Sequence, residues 1–305
     1  MEENNSGILS LFSFLPEGCI SSIIALTTPK DACRASTVSW VFNSASESDS
    51  VWERFLPSDY QEIISNSVDP PLNYATKKEL FFSLCDSPII INDGKLSFWL
   101  SKLSGKKCYR IGARELSITW VDTPEYWGWT STPESRFSEV AELIYVCWLD
   151  IQGKMPSQML SSRTTYAAYL IFRVTEYSYG LDVVAKASVQ FADVIRNPSA
   201  ISIDVNDEST NANLLEPETS SVYLIHSPCG DGYLQRSYRR HRRPVQQIAG
   251  RVPQLRTDGW MELLLGEFFN DEGNGDIEMK LSETSILNWK KGLVVEGIEL
   301  RPKEL

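Results

Sequence analysis

The chain has 305 residues, 42% of them hydrophobic, with a net charge of -11 and an isoelectric point near 4.8. That length leaves room for two modest domains with buried cores, and the acidic balance argues against general nucleic-acid binding because a negative surface repels phosphate. No apolar run of about 18 residues offers a membrane span, and the opening Met1-Glu2-Glu3-Asn4-Asn5 is acidic where a secretory signal would be basic, so the chain is expected to stay inside the cell.

Leu15-Pro16 is followed by Ile20, Ile23, Ile24 and Thr27 at helical spacing, with Pro16 suited to the first helical position. Thr28 is placed to cap a second helix, with Pro29 in its first turn, Asp31 near the positive end of the dipole, and Val38, Val41 and Phe42 as its apolar stripe. A third short helix carries Val51, Trp52 and Phe55 before Pro57 stops it. The result is a helical module over 10–56, near the size at which a core alone is marginal and a partner helps. Residues 57–105 read as a helical connector, with helices expected over 58–66 and 76–85 and Asp69-Pro70-Pro71 between them; Leu80, Phe81 and Leu84 share one side of the second.

From Cys108 onward, over a domain spanning 106–305, the period turns to two. Leu116, Ile118 and Trp120 alternate with Ser117, Thr119 and Val121, which predicts a strand ended by Asp122-Thr123-Pro124. The Tyr126-Trp127-Gly128-Trp129 cluster then falls at a strand end or on a loop, where rings serve either as a binding platform or as core filling. Leu143–Ile151 is apolar on both faces, as in a central strand. Tyr166–Thr175, Ala185–Phe191, Trp260–Leu265, Ile277–Leu281 and Leu293–Leu300 supply further strands, and together they predict an antiparallel β-sandwich. Residues 197–220 are polar and turn-rich, a long loop. Arg236, Arg239, Arg240, Arg242 and Arg243 form a dense basic run that suits a nuclear import signal, an anion contact or a solvated loop.

Cys19, Cys33, Cys85, Cys108, Cys147 and Cys229 contain no C-x-x-C pair, so they read as reduced, mostly buried thiols rather than a disulfide framework or a zinc site. His226 and His241 fall in expected loops, and neither a nucleophile elbow nor a phosphate loop is present. The expectation is a protein without catalytic residues, cofactor or metal.

Leu15-Pro16-Glu17, Asp31-Ala32-Cys33-Arg34-Ala35, Val38-Ser39-Trp40-Val41-Phe42 and Val51-Trp52 together resemble an F-box. The resemblance implies a three-helix module that docks on a Skp-type adaptor and through it on a cullin-RING ubiquitin ligase. It implies adaptor-facing roles for Leu15, Pro16, Ile20, Ile23 and Leu26, with Cys33 and Val38 beside them. The same apolar residues would also suit the core of three helices.

Ala113-Arg114-Glu115-Leu116-Ser117-Ile118-Thr119-Trp120, Tyr126-Trp127, Val140-Ala141-Glu142-Leu143 and Trp148-Leu149-Asp150-Ile151-Gln152-Gly153-Lys154 open a second resemblance. Tyr166-Ala167-Ala168-Tyr169-Leu170, Arg256-Thr257-Asp258-Gly259-Trp260 and Leu265-Gly266-Glu267-Phe268-Phe269-Asn270 complete it. In this order they resemble the phloem-lectin (Nictaba-like) domain of plants, so the whole chain is similar to the plant F-box/phloem-lectin proteins. That implies an α+β multidomain chain ending in a jelly-roll-like lectin for N-acetylglucosamine oligomers and N-glycan cores. A sugar presents an apolar C–H face for stacking and a hydroxyl edge that needs acceptors. Carried onto matching positions, the family's site is Trp120, Trp127, Asp276 and Glu283, with Asp276 one methylene shorter than the usual Glu. Trp127 beside Gly128 fits an exposed platform, Trp120 shares a face with Leu116 and Ile118, and Glu283 follows an apolar strand. The expected function is substrate recognition for a Skp-cullin-F-box ubiquitin ligase in the cytoplasm or nucleus, with a glycan or glycoprotein as target. The alternative is a protein-binding adaptor whose sugar site is degenerate.

Overall fold

The computed structural model describes residues 15–192, 219–225 and 250–304, apart from residue 274. The chain divides into two compact units, the first formed by Met1–Arg110 with Leu160–Thr164 and Arg301–Leu305, the second by Ile111–Met159 and Thr165–Leu300. Positions 197–218 of the expected loop lie outside the described residues, as do the Arg236–Arg243 run, His226, His241 and Cys229.

The first unit holds α1 (Glu17–Ile24), α2 (Pro29–Ala35), α3 (Trp40–Glu47), α4 (Asp49–Phe55), α5 (Tyr60–Ser65) and α6 (Lys77–Asp86). After them come β1 (Ile89–Ile91), β2 (Leu96–Leu100) and the start of β3 (Lys107–Gly112). The caps are written in the sequence. Thr28, Ser39 and Thr76 each accept a hydrogen bond from the backbone N–H three residues on, at 3.2, 3.4 and 3.2 Å. Where one helix was expected from Thr28 to Phe42, the chain makes two. Ser36 and Thr37 turn their hydroxyls back onto the carbonyls of Cys33 and Arg34 at 2.8 Å, and Ser39 adopts an extended backbone that starts α3. Four helices therefore occupy 17–55 in place of the expected three.

Trp52 centres this unit. Its indole N–H donates to the Ser46 carbonyl at 2.7 Å, and its ring lies within 5.6 Å of those of Phe55, Phe81 and Phe82. The stretch expected as a helical connector also contains the β1–β2 hairpin. Asn92, Asp93 and Gly94 all take positive φ there, a tight reversal that Asn, Asp and Gly tolerate best.

The second unit contains β4 (Ser117–Ile118), β5 (Trp127–Thr130), β6 (Val140–Leu143), β7 (Leu149–Pro156), β8 (Thr164–Tyr179) and β9 (Val184–Phe191). It continues with β10 (Ser220–Tyr223), β11 (Gln254–Leu255), β12 (Met261–Asn270), β13 (Asp276–Glu283) and β14 (Lys291–Pro302). One sheet runs β10-β9-β13-β7-β4 with antiparallel pairs throughout. The other contains β14-β8-β12-β11, with β6 on β14 and β5 on β6. The sheets face one another closely enough to exclude side chains at two points. A β-carbon on Gly153 of β7 would lie 2.9 Å from Ile298 of β14, and one on Gly266 of β12 would lie 2.9 Å from Val189 of β9. Inward residues alternate as a sandwich requires: Leu149, Ile151 and Met155 from β7, and Ile277, Met279 and Leu281 from β13, are all buried.

Two expected strands are corrected. Leu143–Ile151 is not one central strand, because β6 belongs to one sheet and β7 to the other, and 144–148 carry the chain across. Its apolar residues on both faces reflect that crossing. The strand expected through Trp120 stops at Ile118, because Val121 N–H closes a turn onto the Ile118 carbonyl at 3.2 Å. The Arg256–Trp260 motif is structural. Arg256 pairs with Asp258, Glu262 and Glu299, while the fully buried Trp260 donates its indole N–H to Glu134 and lies under the Arg173 guanidinium at 4.2 Å.

Candidate functional site

Trp120 sits in the turn after β4 with φ of +63°, a left-handed backbone that costs an L-residue about 1–2 kcal/mol. Thr119 N–H to the Asp150 carbonyl at 3.0 Å and Thr123 N–H to the Trp120 carbonyl at 3.0 Å hold that turn. The left-handed residue lies two positions after buried Ile118, and Trp120 is 40% exposed. It is stacked on Trp148 at 5.9 Å and 13°, with Tyr126 at 5.4 Å. Three residues before Trp148, Tyr145 stacks on Trp289 at 4.5 Å and 7°. The crossing segment is pinned on both sides. Tyr126 accepts from Ile144 and Tyr145 N–H, and Val146 exchanges backbone hydrogen bonds with Lys290 at 3.0 and 2.6 Å.

A buried ion pair is bonded to the segments that carry these rings. Lys290 Nζ is 2.5 Å from a Glu283 carboxylate oxygen and also donates to the carbonyls of Cys147 (2.8 Å), Asn288 (2.9 Å) and Ile286 (3.2 Å). The other Glu283 oxygen accepts from Ile286 N–H at 2.8 Å and from the Ser285 hydroxyl at 3.0 Å. Burial alone would raise the Glu283 pKa, but the Lys290, Ile286 and Ser285 bonds outweigh it and hold the carboxyl below its ordinary range.

The four sequence-predicted sugar contacts do not converge. Trp120 and Glu283 lie at the same end of the sheet, because Thr119 bonds Asp150 and Leu149 is the register partner of Glu283. Asp276 begins β13 opposite Pro156, seven residues and about 23 Å along the strand from Glu283, and pairs with Lys154 at 3.1 Å. Trp127 corrects the expected exposed platform. It is 2% exposed, a strand residue of β5 opposite Leu143, and its indole N–H has no partner among the described residues. Glu283 is inside the protein rather than solvated beyond the strand. Tyr145, Trp148 and Trp289 were not singled out as contacts from sequence. The usable signal was a Trp placed directly before a strand start at Leu149 and another just before Lys290 and β14.

The first unit presents a different surface. Leu15, Pro16, Ile23, Leu26, Cys33 and Val38 are exposed, while Ile20 is buried in the helical core, so six of the seven expected adaptor-facing residues reach the surface. Leu26 is 77% exposed, and Trp40, at the start of α3, is 79% exposed. Large apolar side chains left this open are what a docking face requires. The cysteines correct the expectation of mostly buried thiols: Cys19 and Cys33 are exposed, Cys85 and Cys147 half-buried, and Cys108 buried. Among the described residues no group of three or more His, Cys, Asp or Glu could hold a metal ion, and no helix is long and apolar enough to cross a membrane.

A helical unit with an exposed apolar face, joined in one chain to a β-sandwich bearing paired surface rings, defines a two-module protein. Residues 106–302 match the phloem protein 2 (PP2) family. The Arabidopsis thaliana F-box protein PP2-B10 is 42% identical over 300 residues, covering 97% of this chain and 96% of the relative. The F-box protein VBF of the same plant is 42% identical over 302 residues, covering 95% and 99%. Its F-box protein PP2-B1 is 39% identical over 318 residues, covering 96% and 90%. The chain belongs to the F-box proteins that carry a phloem protein 2 domain.

Proposed function

We propose that this protein is the substrate-recognition subunit of a Skp-cullin-F-box type ubiquitin ligase, acting in the cytoplasm or nucleus, with the β-sandwich binding N-acetylglucosamine-containing glycans or glycoproteins. The observation that carries the ligase half is the apolar face of the first helices, where Leu26 and Trp40 stand in solvent although each is large enough to fill a core. An adaptor helix covering that face would bury rings and aliphatic groups at roughly 25 cal/mol per Å². The chain itself performs no chemistry in this reading. It supplies proximity, holding a target lysine near a charged ubiquitin donor and raising its effective concentration.

Support for the lectin half comes from the surface rings at the Trp120 end of the sandwich, which suit the C–H faces of pyranose rings. The second reading, a protein-binding adaptor whose sugar site has drifted, is favoured by one observation. Asp276 is engaged by Lys154 and lies far from Trp120, so the family's four contacts do not form a single pocket. The test is an adaptor pull-down with the full chain beside a chain lacking residues 1–56, run alongside a glycan array. Capture of the Skp-type adaptor by the full chain alone supports the ligase role, and absence of capture removes it. Strong array signal for N-acetylglucosamine oligomers supports the lectin, and a blank array with a captured protein target favours the second reading.

A further inference from the structure

Two ring pairs meet on one short segment. Tyr145 and Trp148 both belong to the residues by which the chain crosses between sheets. Tyr145 lies face to face with Trp289 at 4.5 Å and Trp148 with Trp120 at 5.9 Å. All four rings are exposed and so offer apolar surface to a ligand, although Trp120 is also flanked by Tyr126 at 5.4 Å. Glu283 and Lys290 are both closed to water and neutralise one another. One Glu283 oxygen accepts from Ser285 and Ile286, and the other is buried in an ion pair with Lys290. A carboxylate so engaged, and buried, has no oxygen facing a sugar hydroxyl. Its bonds instead reach both segments that carry the rings, since Lys290 holds the carbonyl of Cys147, next to Trp148, and that of Asn288, next to Trp289.

We infer that the sugar contact is made by the two ring pairs, Trp120–Trp148 and Tyr145–Trp289, and that Glu283 is a positioning residue acting through Lys290 rather than a sugar ligand. The inference rests on the lectin reading above and assigns its contacts. The N-acetylglucosamine oligomer is the occupant that the lectin reading already supplies, and what is assigned here is the set of residues that hold and position it.

The experiment is calorimetric titration of the full chain with the N-acetylglucosamine trisaccharide and with the monosaccharide. The trisaccharide binds more tightly, and Trp148→Ala and Trp289→Ala each weaken it by about tenfold or more. Glu283→Gln also weakens it, and adding Lys290→Gln restores much of the loss, because the damage comes from an uncompensated buried ammonium. Loss of a direct ligand cannot be repaired that way, so a double variant no better than Glu283→Gln overturns the positioning role. Both ring positions are exposed, so those variants decide the contact surface even if Glu283→Gln fails to fold. Unchanged binding by both ring variants overturns the placement while leaving the lectin reading intact. No trisaccharide binding by the unsubstituted chain overturns the lectin reading and this inference with it. Binding of a target that survives removal of its glycans but is lost in Trp148→Ala gives the surface to a protein and overturns the sugar occupant.

Discussion

A β-carbon placed on Gly180 would lie 2.2 Å from the carbonyl oxygen of Trp289, and Gly180 has φ of +70°. Only glycine satisfies both conditions, so the turn after β8 is shaped to let the Trp289 segment pass over it. Gly180→Ala should therefore destabilise the protein by about 2 kcal/mol or more. Thermal denaturation measures the loss, and near-UV circular dichroism of the folded variant should show the Tyr145–Trp289 stack disturbed. A variant with unchanged midpoint and spectrum would contradict this packing.

Removing Lys290 should be costly, because Glu283 would remain charged and enclosed. Lys290→Met is expected to lose about 3–5 kcal/mol in chemical denaturation, more than Glu283→Gln/Lys290→Gln. The pH dependence has a definite sign. Since the folded-state pKa of Glu283 is lowered, its contribution to stability is fully present above its unfolded value, near 4.5, and is lost as pH falls through the lower folded value. Acid titration should thus show a constant stability difference between wild type and the double variant above about pH 4.5, and a wild type that loses stability relative to the double variant as pH falls below it.

Trp127→Ala should behave as a core deletion. A ring that is 2% exposed leaves a cavity costing about 3–5 kcal/mol, measurable by urea unfolding. Trp127→Phe should recover much of that stability, and it removes no satisfied hydrogen bond, since the indole N–H has none among the described residues.

On the helical unit the opposite pattern is expected. Leu26→Ala and Trp40→Ala should change stability by no more than about 0.5 kcal/mol, because both side chains stand in solvent, yet should abolish adaptor capture. Ile20→Ala should instead unfold the unit, being buried there.

Thiol labelling separates the same surfaces. Cys19 and Cys33 are exposed and should alkylate readily at pH 8, whereas Cys85 should resist. Burial, reinforced by the Asp86 charge and only partly offset by Lys102, pushes the Cys85 thiol up to about 12. Bound adaptor should protect Cys33, and equal Cys33 labelling with and without it would count against the docking face.

Much of the fold was legible in the sequence, and the exceptions have local causes. Period-two alternation located β8, β9, β12, β13 and β14, most plainly in β13, where buried Ile277, Met279 and Leu281 alternate with half-buried neighbours. It failed at Leu143–Ile151, where apolar residues on both faces signal a change of sheet as readily as a central strand. Trp120 was read as a strand residue because nothing in its neighbours announces a left-handed backbone; Asn or Gly there would have done so. Trp127 was misread for the reverse reason, since the adjacent Gly128 looked like a loop mark while the backbone is a regular strand. The partner of Glu283 could not be read from spacing, because only the closed turn between β13 and β14 brings Lys290 back beneath it. The residues expected to face an adaptor are nearly all at the surface, because short helices carry so few core positions that surplus apolar residues must face outward.

The crossing at 144–148 has a mechanical corollary. Because Tyr145 and Trp148 are carried on the same tether, and Val146 between them is stitched to Lys290, an insertion there would displace both stacks together. Exchanging one ring for another leaves that frame unchanged, whereas lengthening the tether does not.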